Sequence, residues 1–201
     1  MQKQTYQTIT NTCTGIFKEK GSKFIAYAYP VTSVQEIDSY IQKIKKEHHG
    51  ARHHCWAYRI GFHGEQYRIQ DDGEPANSAG KPILGQIDAF SLTQILIIVV
   101  RYFGGTLLGV GGLIQAYKQA SKEALSAAHI KTKHIPHPVS ITCSYDVLPH
   151  IMNIISDKHC TIRNEQYSNT ECTIECDVSQ EIIKKLEQEK KIYSPLRIQY
   201  I

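Results

Sequence analysis

One stretch of the sequence limits the possible folds more than any other. Residues 95–100, Ile-Leu-Ile-Ile-Val-Val, form an unbroken apolar run that is rich in β-branched side chains. Such a run is far shorter than the roughly 20 residues of a membrane span and is typical of a strand buried on both faces. A chain of 201 residues can build the core around this strand without disulfides or metals. We therefore predict a soluble protein of mixed α and β structure.

The flanking segments predict the rest of a first domain. Residues up to about 31 favour a β-hairpin with its turn at residues 18–22. Ser33 and Glu36 have the spacing of a capping box, in which each side chain accepts a bond from the other residue's backbone N–H, and Gly50 is a suitable helix end. The pattern predicts further strands and helices over residues 55–60, 66–70, 82–90 and 113–128.

A second domain is predicted after a proline-containing segment. Residues 135–138, Ile-Pro-His-Pro, are the linker candidate because paired prolines disfavour both helix and sheet. Beyond them the pattern predicts strand, helix, strand, strand, helix and strand, which is the ferredoxin-like order. These elements cover residues 139–145, 146–158, 160–167, 170–178, 179–190 and 192–200. The prediction is an α+β protein with domains at residues 1–134 and 139–201.

Charge is distributed unevenly between the two predicted domains. Residues 1–136 carry 16 Lys and Arg against 10 Asp and Glu, a net charge of +6, whereas residues 137–201 carry 7 against 9, a net charge of −2. A basic first domain indicates an anionic partner such as RNA. The first residues lack the apolar core of a signal peptide and the six cysteines form no CxxC pair, so we expect a cytoplasmic protein with reduced thiols.

Glycines after the apolar run form the first candidate site. Glycine lets backbone N–H groups approach an anion, and the N-terminus of a following helix adds free donors. Arg101 precedes these glycines and supplies a counter-charge for a phosphate, although a tight connection that needs glycine only for its geometry is the alternative. The P-loop and dinucleotide-binding consensus sequences are both absent. The glycines are Gly104, Gly105, Gly109, Gly111 and Gly112.

A second candidate is the acidic segment Asp-Asp-Gly-Glu-Pro. Asp71, Asp72 and Glu74 place three carboxylates within four residues, which suits Mg²⁺ or a water held for acid–base work. The same residue types form turns and cap helices, and local sequence alone favours that interpretation. Several histidines and Cys55 lie just upstream without the spacing of a zinc site, and Ser78 lies in no nucleophile motif. We predict no catalytic residue.

Several spaced motifs together resemble the signature of the IMPACT/YigZ family. Two departures are visible, because Asn77 stands where glycine is usual and Gln115 stands where arginine is common. The matching residues are Lys20, Ser22, Phe24, Ala51, His53, Cys55–Tyr58, and the segments 71–75, 78–84, 101–105, 108–109, 111–113 and 116–117.

The resemblance implies both a fold and a function. It implies a first domain with the left-handed βαβ fold of a ribosomal small-subunit protein domain and of domain IV of elongation factor G, and a second domain similar to that factor's domain V. Eukaryotic relatives act in translational control, so we expect a non-enzymatic, translation-linked regulator that binds RNA or the ribosome and needs no cofactor. The expected phosphate contacts are Lys81, Arg101, Tyr102 and the five glycines, and the neighbouring loop residues are His53, Asp71, Asp72, Glu74 and Ser78.

Two alternatives stay open from the sequence. One is a small enzyme that acts on a nucleotide or phosphorylated ligand with Mg²⁺ on the acidic loop, since the same fold class includes small-molecule kinases. The other is a protein-binding module that offers the sheet of its ferredoxin-like domain to a partner.

Overall fold

The computed structural model describes residues 4–156 and 160–201, and it separates into two units. Within these ranges no helix is long and apolar enough to cross a membrane. The units are Tyr6–Lys133, and His134–Ile201 together with Gln4 and Thr5.

Strands and helices alternate along the first part of the chain. In order they are β1 (Thr5–Ile9), β2 (Cys13–Glu19), β3 (Ser22–Pro30), α1 (Val34–Glu47), β4 (His53–Ile60), β5 (Gln66–Gln70), α2 (Gly80–Ala89), β6 (Ile95–Tyr102), α3 (Gly109–Ser126) and β7 (Ile130–His134). Five strands form one antiparallel sheet in the order β2–β3–β6–β4–β5, and β1 pairs with β7. The segment β3–α1–β4 is a βαβ unit with β6 inserted between its strands. The predicted mixture of helices and strands is confirmed.

The central strand β6 separates two packed layers. Its residues from Ile95 to Val100 are 0% exposed, as the apolar run predicts. Odd-numbered residues of the run face α2 and α3, and even-numbered residues face α1. We call these two sides of the sheet the α3 face and the α1 face. The strand extends two residues beyond its predicted end, which places Arg101 on the α3 face and Tyr102 on the α1 face.

Helix α1 begins as predicted but is capped differently. The Ser33 hydroxyl accepts a hydrogen bond from the Glu36 N–H at 3.3 Å. The Glu36 carboxylate accepts from the Thr32 N–H at 2.6 Å, one residue before the predicted donor. The helix ends at Glu47 with His48 as its C-cap, so the prediction that Gly50 stops the helix was wrong.

The second unit has the predicted ferredoxin-like order. Its elements are β8 (His137–Ser144), α4 (Leu148–Ile155), β9 (Thr161–Tyr167), β10 (Glu171–Val178), α5 (Gln180–Glu189) and β11 (Arg197–Tyr200). All strand pairs are antiparallel in the order β11–β8–β10–β9, and both helices pack on one side. The last predicted residues of the first helix, 157 and 158, lie outside the described residues. Residues 137 and 138 of the predicted linker belong to β8.

No disulfide joins any of the six cysteines, all of which lie among the described residues. Cys172 and Cys176 both lie in the core of the second unit, because residues four apart on a strand share a face. These thiols are therefore packing residues of the domain.

On the α1 face, His54 is a buried histidine whose protonation is coupled to folding. Its side chain is 9% exposed, with Nε2 3.2 Å from the His48 carbonyl oxygen and Nδ1 3.7 Å from the Asp72 carboxylate. Burial lowers the pKa of His54 below its ordinary value and outweighs the opposing effects of the His48 carbonyl and Asp72. As pH falls, the unfolded chain therefore takes up this proton before the folded chain does, and stability is lost.

We expect the variant His54→Gln to reduce this acid sensitivity, because glutamine keeps an N–H for the His48 carbonyl but does not titrate. Urea unfolding at about pH 7.5 and about pH 5.5, on either side of the ordinary histidine pKa, measures the effect. His63→Gln, at an exposed turn, is the control and should retain the wild-type difference. Equal losses of stability in the wild type and in His54→Gln would contradict the assignment.

Candidate functional site

A buried ion pair joins the acidic loop to the end of the central strand. Arg101 Nη1 donates to Glu74 Oε1 at 2.7 Å, and the two side chains are 7% and 3% exposed. The Tyr117 hydroxyl donates to the same oxygen at 2.8 Å. Glu74 thus connects three elements, since its loop follows β5, Arg101 lies in β6 and Tyr117 lies in α3.

Cys55 completes this cluster without being reactive. Its Sγ lies 2.9 Å from the Asp71 carbonyl oxygen and 3.3 Å from the Tyr117 hydroxyl. Burial raises the pKa of the Cys55 thiol and, by the same cause, the pKa of Tyr117. Both groups stay protonated near neutral pH, so Cys55 is a poor nucleophile and Tyr117 a poor base.

The two aspartate carboxylates of the acidic loop accept hydrogen bonds from backbone N–H groups. Asp71 Oδ1 accepts from the N–H groups of Ala79 at 3.1 Å and Gly80 at 2.8 Å, so it caps α2 from nine residues upstream. Asp72 Oδ2 accepts from the His54 N–H at 2.7 Å. A helix cap, a bond to the backbone of β4 and the ion pair with Arg101 thus engage Asp71, Asp72 and Glu74 in turn. Among the described residues, no group of three or more His, Cys, Asp and Glu is arranged to hold a metal.

This cap explains why α2 begins at Gly80, two residues before the predicted start at Pro82. Asn77 lies in the same turn with φ of 62°, a conformation that favours glycine, which is the residue usual at that position. The adjacent Ser78 is buried, and its hydroxyl donates to the Pro75 carbonyl at 2.6 Å. The Asp71–Ser78 loop is therefore a folded scaffold.

The predicted contact residues do not all lie on one surface. Tyr102 is on the α1 face, where its hydroxyl is 2.8 Å from His48 Nδ1. His53 is on the α3 face with Nδ1 2.9 Å from the Asp72 carbonyl oxygen, in register with Arg101. Lys81 is exposed in the first turn of α2. Phosphate contacts by these residues stay predictions.

Helix α3 begins at Gly109, four residues before its predicted start, so three of the five glycines form its first turn. Among the described residues no side chain caps this end, and the turn is exposed apart from the half-buried Gly112. Its free N–H groups and the helix dipole favour an anion. Arg101 adds a second feature, because its buried Nε has no hydrogen-bond partner in the described part of the chain.

The structural need for glycine differs from one of these positions to the next. A Cβ at Gly104 would lie 1.8 Å from the Gly21 carbonyl carbon, so the hairpin turn requires glycine there. Gly105 and Gly109 have φ of 88° and 69°. Gly111 has ordinary helical φ, and a Cβ there would meet no described atom within 4 Å. Packing and conformation therefore do not require glycine at Gly111, and its lack of a side chain leaves the backbone open to close approach of a partner.

Residues not singled out as contacts by the sequence surround this helix end. Lys20 and Gln115 line a pocket of about 200 Å³ between the β2–β3 turn and the start of α3. Four exposed apolar side chains lie on the same segment, and only three-dimensional structure reveals their exposure. They are Phe103, Leu107, Val110 and Ile114, which are 48%, 84%, 52% and 38% exposed.

We expect Glu74→Gln to destabilise the first unit by about 3–5 kcal/mol, because it leaves the Arg101 charge buried without a counter-charge. The double variant Glu74→Gln/Arg101→Met removes both charges and should recover part of the loss. Chemical unfolding measures the free energies, with the exposed Glu123→Gln as control. A loss below about 1 kcal/mol, as for surface pairs, would refute the ion pair's structural role.

Known proteins similar to this chain identify its family. Residues 20–125 match the Impact N-terminal domain. An IMPACT family member from Haemophilus influenzae is 39% identical over 137 residues, which cover 66% of each chain, and the IMPACT family member YigZ from Escherichia coli is 35% identical over 150 residues, which cover 74% of each chain. A crystal structure of a hypothetical protein aligns with 100% of this chain and 98% of its own, at 26% identity and a TM-score of 0.75.

The alignments thus span about two thirds to three quarters of the length of these two relatives. The match to the Impact N-terminal domain covers more than half of the chain and contains the ion pair, the acidic loop and the glycine-rich helix start. By both measures, this chain belongs to the IMPACT family.

Proposed function

We propose that this chain is a non-enzymatic, translation-linked regulator that binds RNA on the ribosome through the start of α3. The observation that carries the proposal is the uncapped, exposed N-terminus of an 18-residue helix, preceded by glycines. Backbone N–H groups at such an end bind phosphate without any side-chain charge. Gly111 supports the proposal, because the absence of a side chain there lets a phosphate approach the backbone closely.

The surrounding charges favour the same partner. Lys20 lies in the turn that packs against Gly104, and Lys81 lies in the first turn of α2. Both side chains are exposed, and residues 1–136 carry a net charge of +6. Arg101 is buried and tied to Glu74, so its main role is to hold the segment in place. An electrostatic contact of this kind weakens as salt rises.

The exposed apolar residues favour the ribosome over free RNA. Val110 and Ile114 lie four residues apart on α3 and present one apolar side next to the anion-binding end, and the exposed Leu107 lies just before the helix. RNA phosphates give such side chains no favourable contact, whereas a ribonucleoprotein offers phosphates and apolar protein surface together. The same residues favour a protein-binding module as the second candidate function.

The translation link comes from the family. The chain belongs to the IMPACT family, and the resemblance described above implies translational control for its eukaryotic members. The protonated Cys55 and Tyr117 and the occupied carboxylates of the acidic loop support a binding role over a catalytic one.

We expect the purified chain to co-sediment with ribosomes at about 50 mM salt and to dissociate at about 200 mM, where phosphate contacts lose most of their strength. Lys20→Ala should weaken binding and lower the salt slope by about one. Lys122→Ala removes a lysine about 20 Å along α3 from its start and serves as the matched control. Binding that is insensitive to salt would overturn the proposal.

Gly111→Ala separates stability from binding. Alanine in a helix is more stable than glycine by about 0.5–1 kcal/mol, so the variant should unfold at a higher urea concentration. Its methyl group should nevertheless weaken ribosome binding by blocking the backbone. Gly85→Ala, in α2, also has open space for a Cβ and should stabilise the chain without weakening binding. Unchanged binding by Gly111→Ala would place the contact elsewhere.

A further inference from the structure

The outer half of the sheet carries an aromatic surface that neither the ion pair nor the glycine segment uses. Trp56 and Tyr58 lie on β4 and face the α1 side, where they are only partly buried at the rim of the core. Their rings are nearly parallel, with an interplanar angle of 12° and centroids 5.9 Å apart. Together they form a partly exposed pair of stacked rings at the edge of the part of the sheet that α1 covers.

An exposed arginine lies over this surface. Arg68 on the edge strand β5 is in register with Tyr58, and its guanidinium carbon is 5.8 Å from the centre of the Trp56 ring. Among the described residues no carboxylate lies within 4.0 Å of Arg68, so its charge is uncompensated locally. Exposed Gln66 and Gln70 flank it on the same face and add amide donors and acceptors.

Arg59, on the opposite face of the same two strands, differs from Arg68 because its role is purely structural. Arg59 also lies near an aromatic ring, at 5.1 Å from the centre of Tyr67. Its guanidinium, however, bonds to the Asp88 carboxylate at 2.7 Å and to the Gly64 carbonyl at 2.7 Å. Arg59 is thus neutralised and fixed, whereas Arg68 is free to meet an anion.

Parallel aromatic rings beside an unpaired arginine and amide side chains match the chemistry of unpaired nucleotides. Bases stack on aromatic rings, the guanidinium pairs with phosphate or stacks on a base, and amides bond to base edges. A basic first domain adds long-range attraction for a polyanion. A purely apolar protein partner would leave the Arg68 charge and both glutamines without partners.

We propose that Trp56, Tyr58 and Arg68 form a stacking platform for unpaired bases of a single-stranded nucleic acid. This inference rests on the proposed function, RNA binding, and adds the feature of the RNA that is recognised. The helix end at Gly109–Gly112 contacts phosphate on the α3 face, and the platform contacts bases on the α1 face of the same unit.

The chain offers its own reporter for this proposal, because Trp56 is its single tryptophan. Titration of the full chain with an oligouridylate of about ten nucleotides, within the usual site sizes, should quench its fluorescence in a saturable way. Anisotropy of a labelled oligonucleotide should show that Tyr58→Leu and Arg68→Ala each weaken binding by about fivefold or more. Tyr67→Ala, an exposed aromatic on the other face of β5, is the matched control and should bind within about twofold of wild type.

An abasic oligodeoxynucleotide of equal length separates stacking from phosphate binding. It keeps the phosphates and removes the bases, so the platform predicts little quenching, whereas matched single-stranded DNA should quench about as RNA does. Quenching by the abasic strand, or wild-type affinity in Arg68→Ala, would overturn the platform. Ribosome binding could also be salt-sensitive, lost in Gly111→Ala and kept in Arg68→Ala. That result would overturn the platform but leave the proposed function intact. Arg68 is exposed, so this variant tests the proposal even where Tyr58→Leu disturbs folding.

Discussion

The buried ion pair between Glu74 and Arg101 is the interaction on which the first unit depends. Burying a guanidinium is unfavourable unless a carboxylate and further hydrogen bonds offset the lost hydration. Glu74 provides the carboxylate from a loop, and Tyr117, 43 residues later in α3, donates to the same carboxylate oxygen. The pair therefore fixes the acidic loop and the body of α3 against the end of β6, and the exposed glycine segment between β6 and α3 is held from both sides.

Scaffold and contact surface are consequently made by different residues. The acidic loop is the most polar segment, but its carboxylates form bonds within the fold. Asp71 caps α2, and Glu74 pairs with Arg101. The least polar segment, Gly104–Gly112, is exposed and offers backbone N–H groups. Charge in the sequence is therefore a poor guide to where a ligand binds in this unit. The proposed contacts rest instead on free backbone donors and on cations, such as Lys20 and Arg68, that have no ion-pair partner in the described part of the chain.

The same division explains how far the sequence predicts the structure. The apolar run, the capping serine of α1 and the ferredoxin-like order were predictable, because each depends on local periodicity or on side chains a few residues apart. The start of α2 was not, because its cap, Asp71, lies nine residues upstream. The start of α3 was not predictable either, because its glycines lower helix propensity and no capping side chain marks its free end. The burial of Arg101 depends on Glu74 and Tyr117, which only the fold brings together.

Electrostatics also favour the first unit over the second for the proposed binding of a nucleic acid. On β10 of the second unit, alternate residues opposite the helices are Glu171, Thr173, Glu175 and Asp177, next to Ser140 and Thr142 on β8. Glu171 and Asp177 neutralise Arg197 and Arg163 in ion pairs, so these arginines are not free for phosphates. Small hydroxyl side chains give bases nothing to stack on, unlike the aromatic sheets of RNA-binding domains. The helix-free side of this sheet therefore disfavours RNA despite its ferredoxin-like order. In the first unit, cations with no ion-pair partner among the described residues, free helix donors and partly exposed aromatic rings are all present, which favours that unit for the proposed recognition of a polyanion.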